Sequence, residues 1–150
     1  MFAPEPFDTR LPDPQRHAEF YAGVTAKRAF AWIIDTILIA LITAVIVPFT
    51  AFTAVFFLPL LFVVVSFTYR VLTLAGGSAT PGMRLMNITL LTRFGDRFDL
   101  ATAFLHTLGY TLSIGTLLVQ LVSVFLMMTS ARGQGLTDMI LGTVAINRPR

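Results

Sequence analysis

The chain has no cysteine. That excludes any disulfide and any thiolate metal site, and it leaves the redox compartment open. Charge is scarce as well, at 13% of the 150 residues. Catalytic patterns are also missing: there is no G-x-S-x-G, no Walker loop and no pair of catalytic carboxylates. No enzymatic chemistry and no cofactor are therefore expected. His106 is the single histidine outside the amino-terminal tail, and no histidine or carboxylate stands three or four positions from it. A metal site there is not expected.

What the chain does have is apolar length. Mean hydropathy is +0.77, unusual for a soluble protein. Residues 29–47 form a 19-residue run broken only by Asp35, Thr36 and Thr43, and residues 49–68 are 20 residues without a charge. Each would be about 30 Å long as a helix, the thickness of a bilayer's hydrocarbon core. Neither run shows the polar face of a helix at a soluble protein's surface. The fold class expected is all-α integral membrane, in one domain.

Asp35 does not overturn this. An aspartate at a helix centre costs roughly 2.5–3.5 kcal/mol on an insertion scale. The eleven Leu, Ile, Val and Phe residues of the same run offset it with about 5 kcal/mol in total.

Along the chain, residues 1–23 read as a flexible cytoplasmic tail, residues 24–147 as the membrane domain and residues 148–150 as a short end. The first 28 residues hold four prolines, four acids and four bases, which excludes a cleavable signal peptide and makes the first helix an uncleaved anchor. That helix is predicted over about 27–47, with Pro48 at the turn. The second is predicted over about 49–73 with Pro59 inside it, forming an antiparallel hairpin with the first. The connection is uncharged while Lys27, Arg28 and Arg70 mark the outer ends, so the amino terminus is expected in the cytoplasm. Ten of the eleven bases are arginine, scattered beside apolar segments. Membrane lipids are the expected partner of such bases, not nucleic acid.

Gly76 and Gly77 read as the end of helix 2, Thr80-Pro81 as a cap and first helical position, and Asp99 as the cap of a helix starting at Leu100. "MNITLLT" and "GTVAINR" alternate as strands do, and their pairing would make a small cytoplasmic β element. The third hydrophobic region, residues 101–128, is 28 residues long, about 42 Å as one helix. Either it spans once, or it breaks at "SIGT" into a hairpin. Charge bias favours the hairpin and a cytoplasmic carboxyl terminus.

Arg28 and Asp35 are seven positions apart and share one face of helix 1, too far apart along the axis for an assured ion pair. Asp35 is therefore expected to find a partner on another segment, with Arg70 and Arg132 the candidates. With these residues in view, the chain resembles the RDD family of membrane proteins, named for an arginine opening the first helix, an aspartate within it and a second aspartate near the carboxyl end. Arg28, Asp35 and Asp138 stand in those places, and "GGSATPGMRLMNITLL" and "RGQGLTDMILGTVAIN" look like family signatures. Met83 departs from a usual lysine, and Thr137 from a frequent histidine. Both changes weaken a proton relay built on those positions. The resemblance implies cation/proton antiport as one option, since some members are so described, but most have no known function.

An intramembrane carboxylate is a functional candidate by default, yet an Asp–Arg pair can equally serve as a buried anchor. The anchor is the preferred expectation for Asp35, and pairing with Arg28 or Arg132 for Asp138. Arg84 is a candidate contact for a lipid phosphate, Gln120 for an interhelical hydrogen bond, and the Thr36/Ala40/Ala44 stripe for close helix packing. A bundle this small, without an inverted repeat, has little room for alternating access. The expected role is an accessory or scaffold subunit packed against another membrane protein or a second copy, with antiport by an oligomer as the rival.

Overall fold

The computed structural model describes residues 10–149. Helix α1 (Val24–Phe49) and helix α2 (Leu58–Gly77) are both long and apolar enough to cross a membrane. α1 begins earlier and ends later than predicted, carrying Pro48 in its last turn. α2 begins nine residues later than expected, at Leu58. Ala51 and Phe52 turn the chain with positive φ, and a short 3₁₀ stretch, Thr53–Phe57, then feeds α2. Pro59 accordingly lies in the first turn of α2 and not in its interior. Its missing N–H is no loss there.

Ser78, in the left-handed conformation, ends α2 and fastens three segments. Its hydroxyl donates to the carbonyl of Leu90 at 2.6 Å and accepts from the backbone N–H of Phe98 at 2.9 Å, and its carbonyl accepts from the N–H of Leu90. α3 (Pro81–Leu85) follows at once, with the Thr80 side chain accepting from the N–H of Met83 as its cap. Strand β1 (Ile88–Leu91) then pairs antiparallel with β2 (Val144–Asn147), Ile88 opposite Asn147 and Leu91 opposite Val144. The expected strand pair is therefore present.

α4 (Leu100–Ile114) starts at an Asp99 cap, whose carboxylate accepts from the N–H of Thr102. α5 (Leu117–Thr129) follows after Gly115 and Thr116, and the two helices are bent by 117°. At about 22 and 20 Å, neither reaches across a hydrocarbon core of about 30 Å. Both ends of the pair return to one end of the bundle. Phe98, before α4, is held by Ser78 at the end of α2, and Met127, near the end of α5, accepts a hydrogen bond from Thr25 at the start of α1. The third hydrophobic region is therefore broken at "SIGT" into a bent helix pair. Gln120 makes the expected bond between helices, accepting from Ser113 at 2.8 Å. α6 (Leu136–Leu141) and β2 complete the chain beside the start of α1, where Lys27 donates to Asn147 at 2.6 Å.

The buried core gathers at that same end. Val24, Ala31, Leu74, Ala79, Met83, Ile88, Leu90, Phe98, Ala103 and Ala145 form one cluster. Elsewhere α1, α2, α4 and α5 expose large apolar side chains along their length, as lipid-facing helices do. Residues 10–23, expected within the flexible tail, instead dock on the sheet. Leu11, Phe20 and Tyr21 pack with Val144 and Ile146, and the Asn147 amide donates to the carbonyls of Glu19 and Ala22. The remainder of that expected tail, residues 1–9, lies outside the described residues, as does residue 150.

Candidate functional site

The two aspartates named by the sequence are both buried, each 1% exposed. Their surroundings differ from expectation in opposite ways. Among the described residues no arginine pairs with Asp35. One of its oxygens, Oδ1, accepts from the Tyr69 hydroxyl at 2.7 Å and from the backbone N–H of Gly82 at 2.8 Å. Oδ2 accepts from the Thr80 hydroxyl at 2.5 Å. The expected arginine partner is thus corrected: two hydroxyls and a backbone amide solvate the carboxylate. The backbone explains this. Thr80-Pro81-Gly82 turns α3 directly onto α1, and only glycine fits at position 82, where a Cβ would collide with the Ala31 carbonyl and the Asp35 carboxyl. Tyr69 and Arg70 are successive on α2, so they point about 100° apart. Tyr69 faces α1, and Arg70 faces α4.

Asp138 does have the arginine. Arg28 Nη1 lies 2.6 Å from its Oδ2, and the backbone N–H of Gly135 donates to the same oxygen. Oδ1 accepts from the Thr143 hydroxyl at 2.7 Å and lies 3.0 Å from His106 Nε2. Burial alone would raise this carboxyl's pKa, but Arg28 first, then His106 and Thr143, outweigh it and hold it well below the usual carboxylate range. Asp138 therefore both pairs with Arg28 and organises the start of α6. Arg132 joins neither aspartate; it lies beside the Tyr21 hydroxyl.

His106 was missed as part of this site. Thr137 replaces the imidazole often found next to the second aspartate, and here His106, from α4, stands against the same carboxylate. Its signal was present: a single histidine inside an apolar run is a polar group that needs a partner.

Arg70, expected to serve an aspartate, is 7% exposed and pairs with no carboxylate among the described residues. Its guanidinium stacks on the Tyr110 ring at 4.2 Å, with Nη2 3.4 Å from the Tyr110 hydroxyl. Trp32 Nε1 donates to that hydroxyl at 2.6 Å. Met83, in place of the usual lysine, is buried in the core cluster. Arg84 is exposed on α3 and its guanidinium lies over Gly77. The Thr36/Ala40/Ala44 stripe does not pack within the chain as the expectation allowed. α1 turns Ala31, Asp35, Ile39 and Thr43 inward, one position away, and leaves Ala40 and Ala44 exposed.

Arg28, Asp35, Arg70, His106 and Asp138 share one cavity of about 550 Å³ between α1, α2 and the bent α4–α5 pair. Two apolar helices long enough to span, a bent helix pair and buried charges around one cavity define a small α-helical membrane protein. The RDD family model matches residues 21–142, and the chain belongs to the RDD family. No curated protein and no solved structure matched it.

Proposed function

We propose that the two aspartates are fasteners and that the chain serves as an accessory or scaffold subunit of a larger membrane assembly. The observation that supports this is engagement: Asp138 has two protein partners at each oxygen, and Asp35 accepts three hydrogen bonds across its two oxygens. An ion site needs carboxylate oxygens left for the ion, and these are committed to joining α1 to α3 and α1 to α6. The exposed Ala40 and Ala44 leave α1 a smooth face on which a helix of a partner or a second copy could pack closely. On this proposal the chain sits in the inner membrane with its β element, α3 and both termini in the cytoplasm, following the bias of its bases. Arg84, exposed there, is placed to meet a lipid phosphate.

One observation favours antiport instead. His106 and Asp138 stand 3.0 Å apart beside the cavity, a pairing that a proton-coupled carrier would use. The experiment is purification in mild detergent from the native membrane at natural expression level, with native mass and co-purifying proteins recorded. A stoichiometric partner set supports the accessory role. A small homo-oligomer alone, with ion flux abolished in Asp35→Asn while the variant accumulates normally, would establish transport.

A further inference from the structure

The buried charges of the cavity are unevenly satisfied. Arg28 meets Asp138 at 2.6 Å, and Asp35 accepts three hydrogen bonds. Arg70 has only a long bond to a neutral hydroxyl and the face of a ring, and its Nε–H has no acceptor. A buried guanidinium without a counterion is costly. Thr107, 1% exposed and lining the same cavity, also has an unpartnered hydroxyl. Tyr110 accepts from both Trp32 and Arg70 and donates to no group among the described residues, so its own O–H is left to give. Around Arg70 the unused groups are donors.

The mouth of this cavity is apolar. Trp32 and Ile33 on α1, Ile114 on α4 and Val124 on α5 all line it and are each about 40–50% exposed, on the faces that meet lipid. A ligand entering there comes sideways from the bilayer. We infer that the cavity binds the phosphate of a membrane phospholipid, with Arg70 supplying the charge, Tyr110 and Thr107 the neutral donors, and the acyl chains leaving past Ile33, Ile114 and Val124. Arg recognises phosphate oxygens well through its planar fork of donors, and about 550 Å³ holds a headgroup with room beyond it.

The test uses the full-length protein in detergent with short-chain phosphatidylglycerol, the matching diacylglycerol and inorganic phosphate as probes, read by native mass spectrometry and thermal shift. Phosphatidylglycerol should bind and stabilise the wild type, while diacylglycerol, with the same chains and no phosphate, should not. Arg70→Gln should weaken retention by about tenfold or more, as expected for a lost charge-assisted bond, and Arg97→Gln, exposed in the loop before α4, should leave it unchanged. Should Arg70→Gln fail to fold, Tyr110→Phe and Thr107→Val carry the test, each lowering retention several-fold. Equal stabilisation by diacylglycerol, or unchanged retention in all of these cavity variants, overturns the inference. Full competition by inorganic phosphate overturns the lipid as the source and leaves a free-anion site.

Discussion

The backbone N–H of Gly82 donates to Asp35 Oδ1 at 2.8 Å, joining positions 47 residues apart. This bond ties the start of α3 to the middle of the first span. It exists because residue 82 has no side chain. A methyl group there would meet the Ala31 carbonyl and the Asp35 carboxyl together. Gly82→Ala should therefore destabilise the protein by about 1–3 kcal/mol, the usual cost of forcing atoms into a packed site. Gly76→Ala is the control, since nothing lies within 4 Å of its added Cβ. It should be neutral or stabilising by about 0.5–1 kcal/mol. Thermal unfolding in detergent compares them, and equal melting temperatures for the two variants would refute the close-approach account.

Asp138 is the common partner of Arg28 and His106. Asp138→Asn leaves Arg28 buried without its carboxylate, and should cost about 3–5 kcal/mol. Arg28→Met combined with Asp138→Asn should recover much of that loss, because no buried charge is then left unpaired and the amide oxygen still offers an acceptor to Thr143. A double-mutant cycle reads the coupling. If the losses simply add, the 2.6 Å contact is not a fastener.

The same carboxylate predicts a pH dependence with a definite sign. Its folded pKa is depressed below the ordinary value, by Arg28, His106 and Thr143 against the opposing effect of burial. The folded state then binds fewer protons than the unfolded one as pH falls, so stability declines with acidification. The contribution is fully present above the unfolded pKa of about 3.9 and is lost as pH drops below it. Melting temperature followed from pH 7 downward should fall more steeply for the wild type than for Asp138→Asn. Parallel curves would assign the acid sensitivity to other groups.

Much of this architecture was legible because its causes are local. Apolar length marked both spans, Asp99 and Thr80 marked helix starts, and a run longer than one simple span made "SIGT" a candidate break, with charge bias favouring it over a single span. Arg28 and Asp138, 110 positions apart, were brought together by a family pattern and a scarcity of other charges. Asp35 was misassigned for a physical reason. A backbone amide and two hydroxyls leave no charge signature, so counting charges pointed to Arg70. Helical geometry turned that residue away by placing it directly after Tyr69. The small-residue stripe lies one position from the inward face of α1, and on a helix one position moves a residue about 100° around the axis.

The bent α4–α5 pair decides where the carboxyl end lies, and the absence of cysteine makes that measurable with a clean background. Single cysteines at exposed positions would report side by reaction with a membrane-impermeant maleimide in intact and permeabilised vesicles. Arg93→Cys, after β1, and Pro149→Cys, after β2, should label from one face, since the strands they follow are hydrogen-bonded to each other. Thr50→Cys, between the two spans, should label from the opposite face. Leu117→Cys, exposed at the bend of the α4–α5 pair, should label from neither, because a thiol in hydrocarbon does not ionise to the reactive thiolate. If Pro149→Cys labels together with Thr50→Cys, the third region crosses the membrane once. Asp138 would then be carried to the far side, and neither its pairing with Arg28 at the start of α1 nor the shared cavity could form.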